Sequence, residues 1–186
     1  AQSYPNVRIE HSHFIGFGPL RNLAASLAKH DWILMLDSDE RISPLLAEEL
    51  SSLSLDSNCV YQILRHNFYN GKRIYGGNWH PDWVARLYHR QKTRYCDSRV
   101  HESLRTEHMQ ELYLKGYLTH TPYACTSDFL RKMEHYTSLF AEQNQGKKQS
   151  SFAKALLHGF FSFFKSYFLK KGLFDGKEGF IIALYN

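Results

Sequence analysis

The chain has 186 residues, 43% of them hydrophobic and 22% charged. At roughly 100–200 residues per domain, this allows one compact domain, or one domain with an appended segment, and excludes a multidomain assembly, a disordered chain and a collagen-like one. The formal charge of +5 is unevenly placed: residues 1–145 carry 16 basic and 16 acidic side chains, whereas residues 146–186 carry 7 and 2.

A net-neutral body without a basic stripe argues against nucleic acid as a partner. Cys59, Cys96 and Cys125 form neither an even set nor a CxxC pair, so no disulfide framework or thiolate zinc site is expected, and a reducing, cytoplasmic compartment is the default. The first residues carry no basic and apolar regions of a signal peptide. No run reaches the ~18 apolar residues of a spanning helix; the nearest, Ala153 to Leu169, is broken by Lys154, His158 and Lys165.

In chain order, Val7 to His11 alternates as a short half-buried strand would. Gly16-Phe-Gly18 then leads to Pro19, suited to a first helical position, and Leu20, Leu23, Ala24 and Leu27 recur at helical spacing to about His30. Trp32 to Leu36 is an unbroken apolar run, which reads as a buried central strand of a parallel sheet. Ser43-Pro44 predicts a helix start, with Leu45, Leu46, Leu50 and Leu53 as its buried stripe. Val60 to Leu64 and Arg73 to Tyr75 flank Asn70-Gly71, a hairpin signal. Trp83 to Tyr88 and Leu112 to Leu118 are further candidate strands, and Tyr61, Tyr75 and Tyr88 read as core. From Ser127 to about Gly146, Phe129, Met133, Tyr136 and Phe140 share a helical face. Early alternation of strand and helix followed by clustered strands predicts an α/β unit with an antiparallel β extension.

The chemistry-bearing signal is Asp37-Ser38-Asp39-Glu40, placed directly after the apolar run. Ligands of open α/β sheets bind beyond the carboxyl ends of strands, and an extended i, i+2 pair points both carboxylates the same way. Two hard oxygen donors so placed suit Mg²⁺ or Mn²⁺ carrying a diphosphate. The competing reading is an acidic loop leading into the Ser43 helix. A D-x-D after a strand also opens the haloacid-dehalogenase phosphatases, but those want Thr or Val two residues past the second Asp, where Arg41 stands.

Several ordered segments carry a resemblance that runs from about Gly16 to Phe180. Arg21-Asn22-Leu-Ala, Asp31 to Arg41, Gly76-Gly-Asn-Trp-His-Pro81, Ala85-Arg-Leu-Tyr88, Val100-His-Glu102, Phe168 to Gly176 and Glu178-Gly-Phe180 together resemble family-two glycosyltransferases. The branch they are most similar to is that of lipopolysaccharide core biosynthesis, which includes the core β-glucosyltransferases. The resemblance implies a partial GT-A, Rossmann-like domain over residues 1–145 and a helical aromatic tail over 146–186. It also implies that the strand, helix and strand that cradle the nucleotide base in this branch are absent, so a truncated chain is expected.

By the same resemblance, Asp39 is the direct ligand of Mg²⁺ or Mn²⁺, and Asp37 contacts the donor ribose, the metal or a metal-bound water. Arg21 is expected at the donor phosphate or base, with an exposed helix arginine as the alternative. Glu102 is the catalytic base of an inverting transfer, which needs one carboxylate near the acceptor hydroxyl, and His101 is a metal ligand or a neighbour that holds it. The segment Gly76 to Pro81 reads as an acceptor-side loop, with Trp79, His80 and Trp83 against the sugar, or with both indoles simply buried. The implied partners are a nucleotide-sugar donor and a saccharide or lipid-linked acceptor.

Residues 146–186 hold 10 of the 28 aromatic side chains. Phe160, Phe161, Phe164 and Phe168 share a helical face beside Lys165, Lys170 and Lys171, a pattern suited to an anionic membrane surface or to burial on the domain. A peripheral position on the inner face of the membrane follows from the first of these. The alternative to an enzyme is an inactive membrane-surface binding module or a truncated remnant.

Overall fold

A computed structural model describes residues 5–98, 102–123, 126–144 and 151–185. Its framework is a mixed sheet built from β1 (Trp32–Leu34), β2 (Glu40–Ile42), β3 (Cys59–Tyr69), β4 (Lys72–Arg73), β5 (Trp83–His89) and β6 (Gln110–Tyr123). The strand order is β1-β5-β3-β6-β2, with β4 hairpinned onto β3. Only β3 and β6 run parallel; the other pairs are antiparallel.

Alternation along β3 sends its side chains to two cores. Tyr61 and Ile63 enter a cluster with Leu46, Leu87, Leu114 and Leu118, whereas Val60 enters one with Ala25, Ile33, Tyr88, Tyr95 and Leu104. The fold is therefore the expected α/β domain with antiparallel strands. The placement of the Trp32 run differs: β1 is the terminal strand of the described sheet and pairs antiparallel with β5, Ile33 opposite Tyr88. An apolar run marks burial, but its partner is chosen by β5, 50 residues further on. Val7 to His11 forms no strand among the described residues.

The helix α1 (Phe17–Leu27) turns a different face inward from the one its leucines suggest. Leu23 and Leu27 are exposed, whereas Gly18 and Ala25 are buried. Polar anchors set this rotation: Asn22 Nδ2 donates to Tyr95 O at 3.0 Å, and Tyr95 N donates back to Asn22 Oδ1 at 2.9 Å. Small residues permit the close approach, since a Cβ on Gly18 would fall 2.0 Å from Cys96 O.

The helix α2 (Pro44–Ser52) starts where Ser43-Pro44 predicts, with Ser43 Oγ accepting from Leu46 N at 3.1 Å. Leu46 is fully buried and Leu50 and Leu53 pack beside it, but Leu45 is half exposed. This helix clamps β6: the Glu49 carboxylate accepts from the amides of Lys115 and Gly116 at 3.0 and 2.7 Å. The Asn70-Gly71 turn has φ of 51° and 73°, as the predicted hairpin requires. Tyr61 and Tyr88 are core, whereas Tyr75 is 59% exposed.

Beyond α3 (Thr126–Asn144), whose Phe129 is buried and Met133 exposed, the tail forms α4 (Phe152–Phe164) and a π-helical turn at Lys165–Leu169. A 3-10 turn at Gly172–Asp175 and α5 (Gly176–Tyr185) follow. The side chains of Tyr136 and Phe140 lie outside the described residues. The end of the tail is fastened to the segment after the hairpin. Buried Asp175 accepts from the amides of Tyr75 and Gly76 at 3.0 and 2.7 Å, and Gly77 N donates to Lys170 O at 2.8 Å. Ile182 packs with Tyr69, Ile74 and Phe129. By contrast, α4 contributes no buried residue, and Phe160 and Phe161 are 69% and 60% exposed.

Candidate functional site

Where β1 ends, its chain turns through Asp37-Ser38-Asp39 into β2, and the three carboxylates of this segment are treated differently by their surroundings. Glu40 points inward and is buried; Oε1 accepts from Arg86, and from Arg65 at 3.2 Å, while Oε2 accepts from Asp37 N at 3.1 Å. It is a structural anion that ties the strand end to β3 and β5. Arg86 is itself buried on β5. Burial works against its charge, but Glu40 and then Asp37 outweigh that and raise its pKa.

Asp37 is gripped by two guanidinium groups, Arg21 Nη2 at 2.8 Å and Arg86 Nη2 at 2.6 Å. Burial alone would push its carboxyl up, yet the Arg21 hydrogen bond and the charge of Arg86 hold it below the ordinary carboxylate range. Both of its oxygens are thus taken by arginines. Arg21 projects from α1 over the Tyr95 ring, 5.3 Å from its centroid, and its Nε donates to Glu102 Oε1 at 3.0 Å.

Asp39 has different partners. Its Oδ2 lies 3.6 Å from His120 Nε2 and 3.6 Å from Lys132 Nζ. His120 beside it leads the causes that bring its carboxyl down to about 2. The Asp39 backbone carbonyl accepts from Thr121 N at 3.0 Å, which fixes the loop against β6.

These groups share one open cavity of about 1200 Å³. Arg21, Asp37, Asp39, Glu102 and Trp83 line it, together with His120 and Lys132. Trp79 and His80 are not among its walls. Trp79 is partly buried instead, stacked on Phe129 at 6.3 Å and Tyr123 at 5.9 Å, and His80 lies against Tyr75 at 6.1 Å. Trp83 is 40% exposed, in a T-shaped contact with Tyr113 at 4.9 Å between ring centroids. His101 lies outside the described residues. Asp82 is paired with Arg65 and Asn67, and Asp97 sits on the surface by Arg94 and Arg105; neither lines the cavity.

Among the described residues no group of three or more His, Cys, Asp or Glu side chains could hold a metal ion. A hard cation of the Mg²⁺ or Mn²⁺ kind needs less, since it is commonly held by one or two carboxylates and completes its shell with water and substrate phosphate. The donor set here fits that use on the Asp39 side: a carboxylate 29% exposed, beside an imidazole nitrogen, opening on a roomy cavity. Asp37, enclosed by guanidinium groups, fits it less well.

Arg65, Arg86, His120 and Lys132 were not legible as site residues in the sequence. Arg86 left its trace as a charge inside the apolar run of β5 and as part of the Ala85-Arg-Leu-Tyr88 segment; His120 and Lys132 left none.

No described helix is long and apolar enough to cross a membrane. The chain is 25% identical over 185 residues to an uncharacterized glycosyltransferase of Rickettsia prowazekii, an alignment covering 92% of this chain and 63% of that protein. It is 27% identical over 188 residues to an uncharacterized glycosyltransferase of Rickettsia felis, covering 92% of this chain and 65% of the relative. The chain therefore spans slightly less than two thirds of the length of these relatives. The family model described as glycosyl transferase family 2 matches residues 1–170, and a match over so much of the chain, on an α/β sheet with carboxylates at a strand end, means that the chain belongs to glycosyl transferase family 2.

Proposed function

We propose that the protein is an inverting, metal-dependent glycosyltransferase that moves a sugar from a nucleotide-sugar donor to a saccharide or lipid-linked acceptor of the lipopolysaccharide-core kind. The observation that carries this reading is the convergence, in one cavity, of the strand-end carboxylates Asp37 and Asp39 with Arg21 and Glu102. Asp39, with His120 beside it, would hold Mg²⁺ or Mn²⁺, which when bound neutralises charge developing on the departing diphosphate.

The remaining roles fall to the chain's own side chains. Glu102 stands at the cavity wall with one oxygen engaged by Arg21 Nε, so the guanidinium fixes the direction of the carboxylate that would act as the base. Its other oxygen would take the acceptor proton as the glycosidic bond forms. The exposed indole of Trp83 offers a flat apolar face to the acceptor sugar. Arg21 and Arg86 keep Asp37 ionised and immobile, so it can accept from a donor hydroxyl without moving.

The test is release of nucleoside diphosphate from a panel of nucleotide sugars by the protein that carries this chain. Turnover should need Mg²⁺ or Mn²⁺ and should fall at least a hundredfold in Asp39→Asn, on the order expected when a catalytic electrostatic group is lost. Metal-independent turnover, or an unimpaired Asp39→Asn, would overturn the reading.

A second reading, a membrane-surface module, is favoured by one observation. The face of α4 is apolar and exposed, with Leu157 at 70% and Phe160 at 69%, and exposed Lys165, Lys170 and Lys171 follow it. The two readings are compatible, because docking on anionic lipid would bring the cavity to a lipid-linked acceptor.

A further inference from the structure

We infer that Arg73, His66 and His80 form a second anion site around the Tyr75 ring, apart from the catalytic cavity, and that it takes the phosphate of an anionic lipid headgroup. The source of that phosphate rests on the membrane-surface reading above. None of these four side chains lines the cavity.

Arg73, on β4, holds its guanidinium 4.5 Å from the centroid of the Tyr75 ring. It is half-buried, and its Nε is enclosed without a hydrogen-bond partner. The other described arginines withdrawn from solvent, Arg21, Arg65, Arg86 and Arg90, each grip a carboxylate. Arg73 grips none among the described residues. His80 lies against the same tyrosine ring, 6.1 Å between centroids. Burial, then the charges of Arg73 and His80, disfavour the protonated form of His66, and no carboxylate is among the groups acting on it. Three basic groups thus converge without a counter-charge, an arrangement that a bound anion relieves. The guanidinium and the imidazole N–H groups donate, and phosphate oxygens accept.

The cluster stands at the foot of the exposed tail helix. The amides of Tyr75 and Gly76 donate to Asp175, and Gly77 N donates to Lys170 O at 2.8 Å, just past the end of the helical run that begins with α4. A Cβ on Gly76 would fall 2.6 Å from Lys171 O. Lys171 has φ of 62° and is exposed. Glycine or asparagine usually takes this left-handed conformation after a helix, and a lysine is strained in it. The chain thus sets an exposed lysine at the junction at a cost in backbone strain, as is common where a residue clamps a ligand. An amphipathic helix lies about 5–10 Å deep at the headgroup boundary, so basic groups beside it stand at the level of lipid phosphate. The competing account is a cation–π pair of Arg73 and Tyr75 that covers the hairpin and binds nothing.

The experiment follows the histidine ring resonances of the 186-residue chain by NMR during titration with short-chain dihexanoyl phosphatidylglycerol and, separately, with inorganic phosphate. The His66 and His80 rings should shift with the lipid at concentrations where inorganic phosphate has no effect, a result that depends on no variant folding. Sedimentation with vesicles of phosphatidylcholine and phosphatidylglycerol is measured alongside. Arg73→Gln and His80→Gln should each weaken it about tenfold, as for the loss of a hydrogen bond to a charged group. Equal shifts with inorganic phosphate would overturn the lipid source and assign the site to a soluble phosphate. Sedimentation that persists with neither ring shifting and with Arg73→Gln unimpaired would overturn the site and leave the membrane reading standing. Absence of both sedimentation and ring shifts would overturn the two together.

Discussion

Arg21 and Glu102 lie 81 positions apart and meet in a 3.0 Å hydrogen bond from Nε to Oε1, while the far end of the same guanidinium grips Asp37. One side chain thus joins the strand-end carboxylate to the expected catalytic base. This pairing exists only because α1 docks by its small and polar face on the segment around Tyr95. In the protein that carries this chain, Glu102→Gln should lower kcat by about 10²–10⁴, the range for loss of a general base, with donor KM little changed. Steady-state kinetics at saturating donor checks it.

Glu40 and Arg86 form a buried ion pair beneath the site. Removing the Glu40 charge leaves buried Arg86 with Asp37 as its remaining carboxylate, so Glu40→Gln should destabilise the fold by about 1–3 kcal/mol, the range for a buried charged hydrogen bond left unmade. Urea denaturation measures this. The double variant Glu40→Leu with Arg86→Met should lose less than Glu40→Gln alone.

Two glycines should respond with opposite signs. A Cβ on Gly116 would fall 2.3 Å from Leu46 Cα, so Gly116→Ala must push α2 off β6 and should cost about 1–3 kcal/mol. Gly159 lies inside α4 with nothing within 4 Å of an added Cβ. Gly159→Ala should stabilise by about 0.5–1 kcal/mol, since alanine is the better helix former. Thermal or urea unfolding of both variants tests the pair.

His66 stacks on Tyr117 with ring centroids 3.9 Å apart. Burial, followed by the charges of Arg73 and His80, lowers its pKa from 6.5 to about 4. Between those values the unfolded chain binds the extra proton, so the contribution is complete above about pH 6.5 and is lost as pH falls towards 4. Urea midpoints at pH 7.5 and pH 5 should differ more in the unaltered chain than in His66→Gln.

The exposed face of α4 predicts sedimentation with vesicles containing anionic lipid, weakening with salt. Each lysine near such a surface contributes about 1 kcal/mol, so changing Lys165, Lys170 and Lys171 together to Gln should release the protein while circular dichroism stays the same. The buried clasp at Asp175 lies apart from these side chains and should hold the rest of the tail in place.

Local chemistry is what the sequence determined by itself. Ser43 followed by Pro44 set the start of α2, Asn70-Gly71 set the hairpin through its positive φ angles, and the apolar run of β1 ended at the carboxylates that now line the cavity. Each depends on residues a few positions apart, where side-chain chemistry acts directly on the backbone. Tertiary structure decided the partner of β1, the inward face of α1, the burial of Arg86 and Glu40, and the meeting of Asp39 with His120 and Lys132. These depend on segments far apart in the chain. The leucines of α1 predicted the wrong inward face because two directed hydrogen bonds to Tyr95 and a close glycine contact fixed its rotation, and His120 became visible only when the parallel pairing of β3 and β6 set it beside Asn67.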